Sequence, residues 1–157
     1  MSGIFARKAL LPNGWADNVR LQVEAGRVAA IASGTAAQDA DVAVGLVVPG
    51  ICNAHSHAFQ RALAGRTEER SPTARDSFWT WRERMYALAG QLDTSSMAAI
   101  AHQAYGEMLE SGYTSVVEFH YLHRPTSGES AAAMFAALAE AARSTGIRLT
   151  YVPVLYE

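Results

Sequence analysis

VVPGICNAHSH, residues 47–57, joins two apolar segments of the chain and ends in a pair of histidines. Pro49 and Gly50 end the first segment, and residues 51–55 are predicted to form a second, buried strand. Histidines two positions apart on an extended segment point to the same side of it. Because neutral imidazole is a common metal ligand, His55 and His57 supply half of a tetrahedral metal site. The stretch therefore predicts a metal-dependent hydrolase.

The composition is typical of a globular protein and excludes several classes of function. The 157 residues are 50% hydrophobic and 18% charged, which is incompatible with a disordered chain. A formal net charge of -2 gives no reason to expect nucleic acid as a partner. No apolar run approaches the roughly 20 residues that cross a membrane. The single cysteine, Cys52, is expected to be buried and fits a reducing compartment, so we expect a cytoplasmic protein.

Residues 1–48 are predicted to be a β-rich subdomain. Residues 19–24 alternate between apolar and polar side chains, which is the period of a strand with one buried face. Ala25 and Gly26 are expected to turn the chain into a return strand over residues 27–31. Residues 33–43 are predicted to be a loop, and residues 44–48 another short strand.

Residues 49–157 have a different pattern, in which strands and helices alternate. Strands are predicted at 51–55, 114–121 and 147–156, and helices at 78–89, from Thr94 to about Gly112, and at 131–144. Thr94 or a neighbouring serine is expected to cap the middle helix. Met134, Phe135, Leu138 and Ala142 are expected to face inward from the last helix. This order predicts an α/β fold with a parallel sheet built from βαβ units.

Strand parity places Asn53, His55 and His57 on one face of the first predicted barrel strand. If that face lines a barrel, both imidazoles lie at its carboxyl-terminal mouth. The alternative is a hydrogen-bonded histidine pair in a loop, without a metal. Glu118 and His120 share a face of the next strand and can support the metal ligands. Tyr121 can join them at the site only if that strand ends before it.

The combination of a β-rich leader, a Val-Pro-Gly turn and a strand ending in His-x-His resembles the amidohydrolase superfamily. The segments SFWTWRE at 77–83 and GYTSVVEFHYLH at 112–123 resemble the narrower group of formimidoylglutamate deiminases. The resemblance implies a small β-sandwich at residues 1–48, followed by a TIM-like (β/α)8 barrel whose first three strands lie in residues 49–157. A complete barrel takes about 250 residues. We therefore expect the amino-terminal portion of such an enzyme.

The resemblance also implies the activity, which is hydrolytic deimination of N-formimino-L-glutamate to N-formyl-L-glutamate and ammonia in histidine degradation. It makes His55 and His57 ligands of Zn²⁺ or another divalent metal. Gln60, Arg82 and Tyr121 become contacts of the small anionic substrate. Further metal ligands and the catalytic acid–base group belong to later strands, so we expect no catalytic residue within this chain and no activity from it alone.

Other interpretations stay open at this point. Arg82 can instead be a surface arginine, with Arg84 as its competitor for an anion, and Tyr121 can serve only in packing. A purine or triazine aminohydrolase of the same superfamily would need an apolar slot for a ring. A non-catalytic partial barrel would use its open strand edge to associate with other chains. We expect either a homo-oligomer or association with the rest of the barrel, and neither a membrane nor a nucleic acid as partner.

Overall fold

A computed structural model of the chain describes residues 3–67, 78–124 and 128–155. The chain forms two compact units, Met1–Pro49 and Gly50–Glu157. Ser77, at the start of the segment 77–83, and Tyr156, at the end of the predicted third barrel strand, lie outside the described residues. In the part of the chain that is described, no helix has the length and apolar character needed to cross a membrane.

The first unit is a four-stranded sheet. Its strands are β1 (Gly3–Leu11), β2 (Gly14–Glu24), β3 (Arg27–Ala32) and β4 (Val42–Val47), in the order β3-β2-β1-β4. The predicted hairpin is confirmed, since β2 and β3 are antiparallel and Ala25 and Gly26 join them. Both turn residues have positive φ, 49° and 74°, as tight hairpin turns require. β4 pairs with β1 in parallel.

The second unit confirms the predicted parallel arrangement and makes the fold α/β. β5 (Ile51–Ser56), β6 (Tyr113–His120) and β7 (Arg148–Pro153) form a parallel sheet with β6 in the centre. The α helices are α1 (Phe78–Ala89), α2 (Thr94–Glu110) and α3 (Ala131–Thr145). A short 3-10 helix, Ala58–Leu63, directly follows the histidine pair. In sequence, the 3-10 helix, α1 and α2 lie between β5 and β6, and α3 lies between β6 and β7.

Helix α2 packs on the central strand β6 and helix α3 on β7, and the two helices pack against each other through small and apolar side chains. Met97, Ala101, Ala104 and Tyr105 of α2 are buried. The buried residues of α3 are Met134, Leu138, Ala141 and Ala142. The prediction that Phe135 faces inward is wrong, because it lies beside this stripe and is 43% exposed, with its ring against Tyr151.

The cap of α2 is Asp93, so the prediction of Thr94 or a serine is wrong. Asp93 has extended backbone angles, and its Oδ1 accepts the Ser96 amide hydrogen at 2.7 Å. Ser96 Oγ in turn accepts the amide hydrogen of Asp93 at 2.9 Å. This reciprocal pair is a capping box, in which the residue just before the helix satisfies the free donors.

Strand β5 is exposed, which contradicts the predicted buried strand. Ile51 is 52% exposed, and Cys52 is exposed as well. β5 is an edge strand in the described sheet, with β6 as its one neighbour, so much of its surface has nothing packed against it. The predicted burial of Cys52 is therefore also wrong. Gly50 approaches Thr114 so closely that an added Cβ would lie 2.2 Å from that side chain.

Candidate metal centre and substrate pocket

A bulge at the end of β5 directs the two histidines. Asn53 pairs with Val116 and Ser56 with Glu118, so the register shifts between these two pairs. A bulge of this kind breaks the alternation of side chains between the two faces of a strand. Asn53 Nδ2 contacts Met108 Sδ of α2 at 3.6 Å, whereas the His55 ring stacks on Phe119 at 4.5 Å. The prediction that Asn53 shares a face with both histidines is therefore wrong.

The ring nitrogens of His55 and His57 converge. Their Nε2 atoms lie 3.1 Å apart, and His57 Nδ1 lies 2.7 Å from the carbonyl oxygen of Phe119. A carbonyl oxygen can only accept, so Nδ1 carries the hydrogen and Nε2 is the nitrogen that can offer a lone pair to a metal ion. Two nitrogen ligands of a tetrahedral zinc ion are separated by about 3.4 Å. The chemistry and spacing of the pair therefore fit two ligands of one metal ion.

The pair alone does not complete a metal site. Within the described residues, no group of three or more His, Cys, Asp or Glu side chains could hold a metal ion. A structural zinc site takes four protein ligands, and a catalytic one takes three. Any further ligands must come from outside the described part of this chain.

Gln60 and Tyr121 meet beside the histidine pair. Gln60, in the 3-10 helix, donates from Nε2 to the Tyr121 hydroxyl at 3.1 Å and contacts Met85 Sδ at 3.5 Å. The Tyr121 ring lies 5.1 Å from the ring of His57. β6 ends at His120, so Tyr121 lies beyond the strand. The alternation of side chains between the two faces of β6 therefore does not direct Tyr121 away from the site. Burial raises the pKa of Tyr121, which keeps its hydroxyl protonated and able to donate.

Arg82 connects to the same region through Tyr86. Its Nη2 donates to the Tyr86 hydroxyl at 3.2 Å, and its guanidinium carbon lies 5.2 Å from the centre of that ring. Arg84, two residues later, donates instead to the backbone carbonyl of Arg66. The two arginines that could bind an anion thus have different partners in the structure, a tyrosine hydroxyl for Arg82 and a backbone carbonyl for Arg84. Sequence reasoning missed Tyr86, although it lies four residues after Arg82 and hence on the same helix face.

A pocket of about 330 Å³ lies in front of the histidine rings. His55, His57, Met85, Tyr86, Phe119 and Tyr121 all line it. Its walls are largely apolar and aromatic, and His55 and His57 are the residues among them that can bind a metal. This combination is typical of a small-molecule site, in which few polar groups orient the ligand. Arg82 does not line this pocket, but its guanidinium hydrogen-bonds to Tyr86, which does.

Glu118 and His120 are both buried, but only Glu118 reaches the histidine segment. Glu118 Oε1 accepts the amide hydrogen of Ala58, directly after His57, at 2.7 Å. Burial raises the pKa of Glu118, and its hydrogen bond to Ala58 partly opposes this. His120 Nε2 lies 2.8 Å from the carbonyl oxygen of Leu122, and burial lowers the pKa of its ring. Glu118 alone of the two therefore contacts the segment that carries the ligands.

Models of two protein families match the chain. Residues 46–156 match the model of the amidohydrolase family. The chain belongs to the amidohydrolase family. Residues 1–43 additionally match the model of the amino-terminal domain of formimidoylglutamate deiminase HutF. The resemblance to both groups is therefore confirmed.

Relatives within the amidohydrolase family include a formimidoylglutamate deiminase from Pseudomonas aeruginosa. It is 48% identical over 160 residues, which cover 99% of this chain and 35% of the relative. A crystal structure of an amidohydrolase from Brucella melitensis superposes with a TM-score of 0.91 at 44% identity, again over 99% of this chain and 35% of the other. The chain thus spans about a third of the length of these relatives.

A more distant neighbour shares the fold. An atrazine chlorohydrolase from Arthrobacter aurescens TC1, solved in complex with zinc, has a TM-score of 0.76 at 17% identity. The match covers 98% of this chain and 35% of that one. At this identity the likeness concerns the fold alone.

Proposed function

We propose that this chain forms the amino-terminal part of a formimidoylglutamate deiminase. The reaction is hydrolysis of N-formimino-L-glutamate to N-formyl-L-glutamate and ammonia, a step of histidine degradation. Water adds to the formimino carbon, the bond from that carbon to the terminal nitrogen breaks, and ammonia leaves. Both the match of residues 1–43 and the 48% identity to the Pseudomonas aeruginosa deiminase support this substrate.

The observation that carries the proposal is the convergence of the two imidazoles on one point beside a small pocket. His55 and His57 would hold a divalent metal ion, for which zinc is supported by the zinc complex of the neighbouring chlorohydrolase. When bound, such an ion supplies Lewis-acid activation of water and of the carbon–nitrogen group under attack. The hydrogen bond from His57 Nδ1 to Phe119 fixes the ring that faces this position.

Gln60, Tyr121 and Arg82 are proposed to bind the substrate. N-formimino-L-glutamate carries two carboxylates, which need hydrogen-bond donors or a cation. The Tyr121 hydroxyl and Gln60 amide lie together beside His57, and Arg82 offers a planar pair of donors. In this arrangement Tyr86 stabilises the guanidinium by a cation–π contact and links it to the pocket.

The finer architecture belongs to the same proposal. Strands β5, β6 and β7 would be the first three strands of a TIM-like barrel, with both histidines at its carboxyl-terminal mouth. The sheet of the first unit would be part of a β-sandwich. A third metal histidine, an aspartate ligand and the acid–base group would come from later strands. A cytoplasmic location and a homo-oligomeric state remain predictions.

A ring-deaminating enzyme is the second candidate, and the lining of the pocket favours it. Phe119, Met85 and Tyr86 form an apolar wall that suits a flat ring. A non-catalytic association module is the third candidate. It would use the edges of the described three-stranded sheet, in which β5 and β7 each have β6 as their one neighbour.

The test uses the protein expressed from its complete gene. Bound metal is measured by elemental analysis, and ammonia release is followed with N-formimino-L-glutamate, guanine and a triazine. Metal in the purified protein with turnover of N-formimino-L-glutamate alone supports the deiminase. Turnover of guanine or the triazine instead would favour the ring deaminase. A protein without metal or turnover that self-associates, as judged by size-exclusion chromatography at several concentrations, would support the association module.

A further inference from the structure

Glu118 lies behind the histidine pair, and the proposed reaction has so far given it no role. Its side chain is 1% exposed, and Oε1 lies 2.7 Å from the backbone nitrogen of Ala58. Ala58 opens the 3-10 helix that follows His57. The first amides of a helix have no partner within it, so this donor needs an acceptor from elsewhere. Glu118 supplies that acceptor from the neighbouring strand.

Two successive residues of β6 hold the histidine segment in different ways. The Phe119 carbonyl oxygen lies 2.7 Å from His57 Nδ1, and the Phe119 ring stacks on His55. Glu118, one residue earlier, bonds the backbone immediately after His57. Because neighbouring side chains of a strand point to opposite faces, the segment is held from both sides of the sheet.

The bulge in β5 makes this support necessary. Between the pairs Asn53–Val116 and Ser56–Glu118 the register of the ladder shifts, so regular strand pairing does not fix the backbone there. A carboxyl group is expensive to bury unless it is hydrogen-bonded, and among the described residues only Oε1 has a partner, the Ala58 amide.

We infer that Glu118 is a positioning residue, which holds the backbone after His57 through the Ala58 amide and so sets the direction of the imidazole rings toward a metal ion. The inference deepens the proposed function and rests on it for the metal readout. The property that matters is an acceptor oxygen at the position of Oε1. A side chain of similar size without that oxygen would fill the space and leave the segment free to turn.

The test compares Glu118→Gln with Glu118→Leu in the protein expressed from its complete gene. Glutamine keeps an acceptor oxygen at nearly the same position, whereas leucine has a similar volume and no acceptor. Affinity for Co²⁺ and its visible absorption spectrum are measured in both variants. We expect Glu118→Leu to weaken Co²⁺ binding about 10- to 100-fold, as for other residues that orient metal ligands, and to alter the spectrum. Glu118→Gln should restore both toward the parent protein.

Hydrogen exchange of the Ala58 amide provides a readout without metal. It should be slow in the parent protein and in Glu118→Gln, and faster in Glu118→Leu. If leucine prevents folding, Glu118→Asp replaces it, since its carboxylate is shorter by about 1.5 Å and should also expose the amide. The inference would be overturned if Glu118→Gln and the variant compared with it, Glu118→Leu or Glu118→Asp, had equal metal affinity and equal exchange at the Ala58 amide. A parent protein that binds no Co²⁺ would count against the proposed function, while the exchange rates would still decide the role of Glu118.

Discussion

The Nε2 atoms of His55 and His57 lie 3.1 Å apart, and the hydrogen bond from His57 Nδ1 to the Phe119 carbonyl turns the second ring into this arrangement. Hydrogen bonding at one nitrogen of an imidazole determines which nitrogen is free to bind a metal. The pair is thus held in a ligating geometry by the chain itself. Each substitution is to be made in the protein expressed from its complete gene.

Removing either ring should abolish tight metal binding. Substituting a residue that only orients a metal ligand usually weakens metal affinity about 10- to 100-fold. We expect His57→Ala to weaken zinc affinity by more than this, and ammonia release to fall as zinc is lost. His102→Ala is the control, because His102 is an exposed histidine on α2. Zinc content after dialysis against a weak chelator measures the effect. Retention of zinc by His57→Ala would remove this residue from the metal site.

Arg82 should affect substrate binding, whereas Arg84 should not. Lysine keeps the positive charge but loses the planar pair of donors that a carboxylate accepts. We expect Arg82→Lys to raise KM for N-formimino-L-glutamate about 10- to 100-fold, which is the range for hydrogen bonds to charged groups. Arg84→Lys, whose parent side chain donates to the Arg66 carbonyl, should leave KM unchanged. Equal KM values for the two variants would show that the planar donor pair of Arg82 does not bind the substrate.

Gln60 and Tyr121 should act as a coupled pair. Tyr121→Phe removes the hydroxyl that accepts the Gln60 amide hydrogen at 3.1 Å. Once one residue has been substituted, the hydrogen bond between them is already lost. Substituting the other residue should then weaken substrate binding less than the same substitution does in the parent protein. Apparent binding energies from KM in a double-mutant cycle with Gln60→Ala should therefore show a coupling of about 1 kcal/mol. Strict additivity would indicate that the two residues contact substrate independently or not at all.

The parts of the fold that local sequence determines could be predicted well. Among the described residues, helix α1 ends at Ala89 as expected, and α3 extends one residue beyond its predicted end. Apolar periodicity and capping residues act over one or two turns and are visible in one sequence. The cap at Asp93 was missed because several neighbouring polar residues could fill that position.

Features set by pairing between distant segments could not be predicted in this way. The direction of Asn53 depends on a bulge opposite β6, and the exposure of Cys52 depends on what covers β5. The sequence indicated that His57, Gln60 and Tyr121 belong to one region, and the structure brings them together. It gave no sign that Arg82 reaches this region through Tyr86, because that depends on how α1 packs.

An ion pair beside the histidine segment should make stability depend on acid pH. The hydrogen-bonded Arg61 guanidinium, assisted by Gln103, lowers the pKa of Glu107 to about 2. A lowered carboxyl pKa stabilises the fold above the unfolded value of about 4.5, and this contribution is lost as the pH falls from there toward 2. Glu107→Gln should therefore lower Tm at pH 6 and have a smaller effect near pH 3.

Matched measurements can separate this ion pair from general charge effects. Glu110→Gln removes an exposed carboxyl group near the end of the same helix and should change Tm little at either pH. Added salt should reduce the effect of Glu107→Gln, because the pair is partly exposed to solvent. A Tm difference that is the same at pH 3 and pH 6 would contradict the assignment.

Two glycines should respond in opposite directions to the same substitution. Gly146 ends α3 with φ of 87°, and Gly106 lies within α2, while an added Cβ would meet nothing within 4 Å at either position. Backbone conformation alone should therefore decide the result. Gly146→Ala forces alanine into the left-handed region and should destabilise the protein by about 1–2 kcal/mol. Gly106→Ala favours the helix and should stabilise it by about 0.5–1 kcal/mol. Urea unfolding of both variants measures the difference, and a loss of stability in both would mean that packing, rather than φ, dominates at Gly106.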